Sequence, residues 1–236
     1  MTKIPLLFLP GLLFDGRLWR DQAIALSDIA DTQIADLTLD DSVEAMARRA
    51  LARAPANFAL VALSMGGYVA FEILRQASDR VSHLALFDTS AAPDDAERIA
   101  QRRAAISSLS IGRFSGVTSR LLPKLVHASQ ISSPVGDELK AMAARVGSAA
   151  FLRQQQAILG RPDSRPLLPT IQLPALVAVG DSDVLTPPEE AMEIHLGITG
   201  SDYHVFHDCG HLPALEKPDE TTAVLRRWLT QSDIAE

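Results

Sequence analysis

The chain has 236 residues and a single cysteine, Cys209. A lone cysteine excludes an intrachain disulfide framework and any cysteine-rich zinc module. Basic residues are in deficit: 22 Lys and Arg stand against 29 Asp and Glu, a formal net charge of −7. That balance argues against a general nucleic-acid binder, whose affinity rests on neutralising phosphates, and against a site built for polyanions. No apolar run is long enough to cross a bilayer as a helix. The apolar start, residues 4–14, looks at first like a secretory core. Pro5, Pro10 and Gly11 interrupt it, and Asp15 and Arg17 follow it. With no small-residue cleavage site beside it, it reads as a buried strand running into a loop, and the expected compartment is the cytoplasm. Neither G-x-x-x-x-G-K nor G-x-G-x-x-G occurs, so P-loop and dinucleotide readings fail.

What is present is the balance of a packed domain, 47% hydrophobic and 22% charged. Short apolar runs bounded by turn residues lie at 3–9, 33–37, 58–63, 81–87, 175–179 and 203–206. Such runs suit parallel strands buried on both faces. Helix-period segments separate them. Asp41 and Glu44 make a capping-box pattern ahead of a helix over 43–54. A second helix is expected over 65–76. Thr186 as N-cap, Pro187 at the first position and Glu189 at the third predict another. A last helix is expected over 219–229. Strand-helix alternation predicts one parallel sheet of about six strands covered on both faces.

Residues 93–169 break the rhythm. They hold no convincing strand, and 97–110, 116–127 and 137–158 read as helices carrying Arg98, Arg102, Arg103, Arg113 and Arg120. The segment reads as a helical insertion, and prolines at 162, 166, 169 and 174 suit an extended return to the sheet.

Ser64 stands between the strand at 58–63 and the helix that Met65-Gly66-Gly67 begins. A serine in such a strained strand-turn-helix junction presents its hydroxyl above the sheet. Small neighbours are needed, and Ala62, Gly66 and Gly67 supply them; Ala62 replaces the first glycine of G-x-S-x-G. The plainer reading of Ser64 is a helix N-cap. A serine nucleophile needs a base. His211, in Asp208-Cys209-Gly210-His211 after the last strand, is the best placed of six histidines, because loops at the strand C-termini of a parallel sheet share one rim. His207 is its nearest competitor. The imidazole needs a carboxylate to hold its tautomer. Asp183, in Gly180-Asp181-Ser182-Asp183, is preferred, with Asp88 at the end of the fourth strand as rival. The oxyanion needs preorganised donors, and the N–H groups of Met65 and Leu12 are the candidates. Leu13 and Phe14 are expected to line an apolar substrate pocket under the insertion, whose arginines either meet a substrate carboxylate or form solvated helix faces.

Together, Ala62 to Gly67, Gly180 to Asp183 and Asp208 to His211 resemble the α/β-hydrolase superfamily, most closely its small bacterial esterases, enol-lactonases and cofactor-free haloperoxidase-like enzymes. The likeness covers essentially the whole chain. It implies a single α/β-hydrolase domain over 1–236, with 93–169 as the helical cap. Two departures stand out: Pro10-Gly11 replaces the usual His-Gly, and the opening antiparallel strands are missing. The implied activity is a serine hydrolase acting on a small carboxylic ester or lactone, with Ser64 as nucleophile, His211 as base and Asp183 as orienting acid. It needs water and no metal or organic cofactor, no nucleic acid and no membrane. Carbon–carbon bond hydrolysis, acyl transfer or lyase chemistry on the same triad, and a non-catalytic small-molecule receptor, are the alternatives. A zinc site from His204, His207, Cys209 and His211 is a weaker one, since the spacing straddles a strand and a tight loop.

Overall fold

The computed structural model describes residues 2–112, 114 and 116–231. The chain runs through β1 (Ile4–Leu9), α1 (Arg20–Ala25), β2 (Ala30–Ile34), α2 (Val43–Arg53), β3 (Phe58–Leu63), α3 (Met65–Ala77) and β4 (Val81–Phe87). It continues through α4 (Ala96–Ile111), α5 (Leu122–Leu125), α6 (Pro134–Leu159), β5 (Ala175–Gly180), α7 (Pro188–Gly197), β6 (Asp202–Phe206), α8 (Pro213–Glu216) and α9 (Pro218–Gln231). The strands form one sheet in the order β2-β1-β3-β4-β5-β6, and every pairing is parallel. The expected parallel sheet of about six strands is therefore observed.

The apolar runs are continuous because both sheet faces are buried. Leu6, Phe8, Val61, Leu63, Ala85 and Phe87 point into one core, with Leu225 and Trp228 of α9. Leu7, Leu9, Leu60, Ala62, Leu84 and Leu86 point into the other, with Met46 of α2 and Phe71 of α3. Each fully buried leucine or phenylalanine contributes roughly 1.5–3 kcal/mol of transfer free energy. Trp19 anchors the chain between β1 and α1: it stacks on Phe8 with centroids 5.0 Å apart, meets Phe87 edge-on, and donates its indole N–H to Leu9 O at 3.2 Å.

Strand order positions the site. From β1 the chain moves to one neighbour, β2, and then crosses to the other, β3. The loops leaving β1 and β3 diverge to opposite faces and open a crevice at the strand C-termini, the usual ligand position in open parallel sheets.

Several sequence expectations shift. β2 lies at Ala30–Ile34 rather than 33–37, because this edge strand alternates buried and exposed residues and its pairing register runs from Ile4–Ala30 to Phe8–Ile34. The short helix α1 fell outside the expected pattern. α2 is capped by Ser42, whose Oγ accepts the Ala45 N–H at 3.2 Å, not by Asp41. α7 begins at Pro188 with Pro187 before it, so Thr186 is not its cap. In place of a helix over 116–127 there is only α5, preceded by Gly116 at φ 55 and followed by a 3-10 turn at Ala128–Gln130. α6 is longer than expected and broken at Gly147 (φ 76, ψ 175), a conformation open to glycine. Between β4 and β5 the regular elements among the described residues are all helical. Arg113 lies outside the described residues. No described helix is long and apolar enough to cross a membrane.

Candidate active site

Ser64 joins β3 to α3 at φ 56, ψ −120, a conformation that costs a non-glycine residue on the order of 1–3 kcal/mol. The surroundings hold it there. Ser64 N–H donates to Phe87 O at 3.0 Å, and its carbonyl accepts from Gly67 N–H at 2.9 Å and Thr89 Oγ1 at 2.8 Å. Its side chain makes no cap hydrogen bond to the helix, so the N-cap reading does not describe it. Gly66 is required by close approach: a Cβ there would lie 2.5 Å from Leu9 O. A Cβ on Gly11 would lie 3.2 Å from that of Ser64, so the loop after β1 runs directly against the serine.

His211 is buried, and its Nδ1 lies 2.7 Å from Asp183 Oδ2. Its backbone N–H donates to Leu125 O at 3.1 Å. Asp183 is itself fixed: Oδ1 accepts from Leu185 N–H at 2.8 Å and Oδ2 from Thr186 Oγ1 at 2.7 Å. Burial alone would raise the Asp183 carboxyl, but the His211 charge, its hydrogen bond and the Thr186 hydroxyl together bring it below the usual carboxylate range. Thr186 thus orients Asp183 rather than capping a helix. With Nδ1 engaged, Nε2 is the ring nitrogen left for a proton acceptor's role. Ser64 and His211 line the same cavity, of about 620 Å³.

Asp88, the rival carboxylate, lies beside Asp183, but it is Asp183 that takes the imidazole Nδ1. Asp88 Oδ1 accepts Gly180 N–H at 2.9 Å, and its Oδ2 is buried near the Asp183 carboxyl with no donor among the described residues. Burial first, and the Asp183 charge next, push this carboxyl well above its usual range. The native chain therefore holds that proton to higher pH than the unfolded chain does. The stability tied to Asp88 is fully present below the ordinary carboxylate range and is lost as pH rises from there through the raised native range. Asp88→Asn keeps the acceptor for Gly180 and suits the positive φ of 43. It is expected to melt higher than wild type at pH 7, with the difference vanishing near pH 4, and to keep turnover within about ten-fold. Thermal melts across pH, paired with an ester assay, check both; a thousand-fold loss of turnover would make Asp88 the orienting acid.

Of the other histidines, His207 is exposed beside Asp181 at 3.4 Å and His204 pairs with Glu220 at 3.0 Å. Neither reaches the cavity. Among the described residues, His204, His207, Cys209 and His211 form no metal-sized cluster; the one group that does is Asp88, Asp183 and His211. Burial pushes the Cys209 thiol far up, away from reactive thiolate.

Leu12, Leu13 and Phe14 all line the cavity. The N–H groups of Leu12 and Met65 donate to no protein acceptor among the described residues. Val117, Leu121, Leu125, Phe151 and Ile158 supply an apolar wall from the helical segment. Arg98 and Arg102 also line it, but each is ion-paired: Arg98 with Glu190 at 2.5 Å, Arg102 with Asp94. Arg103 and Arg120 are exposed. Sequence reasoning missed Glu216, whose carboxylate accepts the N–H groups of Gly210 and Leu212 on either side of His211, each at 3.1 Å. It also missed Gln154, which reaches Leu13.

Known proteins share this architecture. Residues 6–224 match the sequence model of the Alpha/beta hydrolase family. A thermophilic esterase from Thermogutta terrifontis superposes with a TM-score of 0.88 at 30% identity, over 98% of this chain and 91% of that one. A pimeloyl-acyl-carrier protein methyl ester esterase from Neisseria meningitidis is 26% identical over 217 residues, 89% of this chain and 83% of that protein. A proline iminopeptidase from Lactobacillus crispatus is 41% identical over 64 residues, and this match spans only 21% of that protein's length.

Proposed function

The chain belongs to the alpha/beta hydrolase family, and on that premise we propose that it is a serine hydrolase of small carboxylic esters or lactones. The observation that carries the reading is the buried His211–Asp183 pair, whose imidazole lines the same cavity as Ser64 in its strained turn. Ser64 Oγ attacks the ester carbonyl while His211 Nε2 takes its proton. The N–H groups of Leu12 and Met65 receive the oxyanion. The alcohol leaves with the proton from His211, and water, deprotonated by His211, releases the acid. Asp183 stays ionised throughout. Residues 93–169 serve as the cap. Their apolar side chains, with Leu13 and Phe14, receive the acyl group. The ion pairs on Arg98 and Arg102 leave those guanidinium charges matched, which favours an uncharged acyl group over a carboxylate-bearing one. The esterase names of two relatives, one 30% identical and one matched over 89% of this chain, support ester hydrolysis.

The test is a fluorophosphonate probe followed by peptide mass mapping. The expected result is an adduct on Ser64, absent from Ser64→Ala, together with hydrolysis of short p-nitrophenyl esters. Folded wild-type protein that takes no label and turns over no ester or lactone refutes the proposal.

A further inference from the structure

Leu13 is a non-glycine residue at φ 65. It is the third residue of a turn closed by Phe14 N–H on Gly11 O at 3.2 Å. A positive φ at that place ordinarily calls for glycine. A leucine stays there only if its surroundings over-determine it. The structure shows what does so. Gln154 of α6 is completely buried. Its Oε1 accepts the Leu13 N–H at 3.1 Å, and its Nε2 donates to Leu37 O at 3.1 Å. One planar amide therefore ties α6 to the loop after β1 and to the loop after β2. Two neighbouring contacts grip the same loops: Arg145 binds Asp15 at 2.6 Å, and Arg153 donates to Thr38 O at 2.9 Å. The exposed Arg145 pair can exchange with water; the Gln154 amide cannot.

We propose that Gln154 is a positioning residue for the oxyanion donor of Leu12. The proposal rests on the hydrolase reading above. By fixing the peptide between Leu12 and Leu13, Gln154 holds the four-residue turn in the one arrangement that aims the Leu12 N–H toward Ser64. It touches neither substrate nor reacting atoms. Its effect is on the charge that develops in the transition state, so it acts on kcat rather than on substrate binding. It also makes the oxyanion site depend on the seating of α6.

The experiment compares wild type, Gln154→Met and Gln154→Glu. Methionine fills the space without an acceptor. A protonated glutamic acid keeps both hydrogen bonds, carbonyl to Leu13 and hydroxyl to Leu37. Each is measured for kcat and KM on an ester, and for inhibition by a boronic acid, whose serine adduct places an oxygen in the oxyanion site. Gln154→Met is expected to lose about ten- to a hundred-fold in kcat and a similar factor in boronate affinity, with KM within about three-fold. Gln154→Glu is expected to recover most of both. If Gln154→Met does not fold, Gln154→Asn, one methylene too short to reach Leu13, carries the same comparison. A folded acceptor-less variant with wild-type kcat and boronate affinity overturns the proposal alone. So does one that only melts lower. A wild type that takes no fluorophosphonate label at Ser64 overturns the hydrolase reading and this proposal with it.

Discussion

Ser64→Ala is expected to reduce kcat/KM toward any ester the chain hydrolyses by about three orders of magnitude or more, at unchanged melting temperature. Three orders correspond to about 4 kcal/mol of lost transition-state stabilisation, the scale expected when a covalent route gives way to unassisted attack by water. His211→Ala is expected to cost about as much, because a neutral serine hydroxyl is a poor nucleophile. The double variant is expected to cost little more than either single one, since two residues that act as a unit do not add. Asp183→Asn tests the third member: an amide offers Nδ1 the wrong partner, and the imidazole is released from the tautomer that accepts the serine proton. Its loss should exceed that of Asp88→Asn by a wide margin. Purified variants, assayed in parallel on one ester, settle all four. Additive losses, or a Ser64→Ala protein with wild-type turnover, would end the acyl-enzyme account.

The serine was legible because its local structure is determined by neighbours in sequence. A strand of six apolar residues, a turn and two glycines fix where the hydroxyl emerges, and the structure gives the reason for Gly66: a Cβ there would lie 2.5 Å from the Leu9 carbonyl oxygen, too close for any side chain. The strands at 58–63 and 81–87 are legible to the residue because they are central and, apart from Ser82 and His83, buried. β2 departs from the apolar run at 33–37 because an edge strand carries only half the apolar signal. Thr-Pro-Pro-Glu satisfies the local rule for a helix cap at Thr186, yet the helix is preceded by Pro187. The Thr186 hydroxyl goes instead to Asp183, a partner equally close in sequence and more demanding, being a buried carboxylate. Gln154 and Glu216 were not legible at all. Each acts on backbone far away in the chain, Gln154 on Leu13 and Leu37 and Glu216 on His127, and a single polar residue in a helix carries no mark of what it will meet.

Glu216 carries the second large expectation, on stability and turnover together. It ends α8, is nearly fully buried, and accepts three backbone N–H groups: His127 at 2.7 Å, and Gly210 and Leu212 at 3.1 Å. Two of these flank His211, and the third belongs to the segment between α5 and α6. Burial raises the Glu216 carboxyl, and the three N–H donors oppose that rise only in part. Glu216→Ala leaves the three donors without an acceptor. At roughly 1–3 kcal/mol for each buried orphan, and with partial rescue by water, the expected loss is about 3 kcal/mol. For a chain of this length that is a fall of roughly 6–12 °C in melting temperature. The catalytic effect should outlast the thermal one. Below the melting range the His211 loop has lost its brace on both sides, and a displacement of about 1 Å is enough to cost on the order of a hundred-fold in rate. Fluorophosphonate labelling of Ser64 should slow with turnover, because the base that activates the serine has moved. Glu216→Gln separates brace from charge: one oxygen still serves Gly210 and Leu212, while the new NH₂ opposes the His127 N–H. It should therefore retain more turnover than the alanine variant and still melt below wild type. Equal melting temperature and equal labelling rate in Glu216→Ala would show that the His211 loop holds its shape without this carboxylate, through Leu125 O and the packing of Gly210 against Val126 alone.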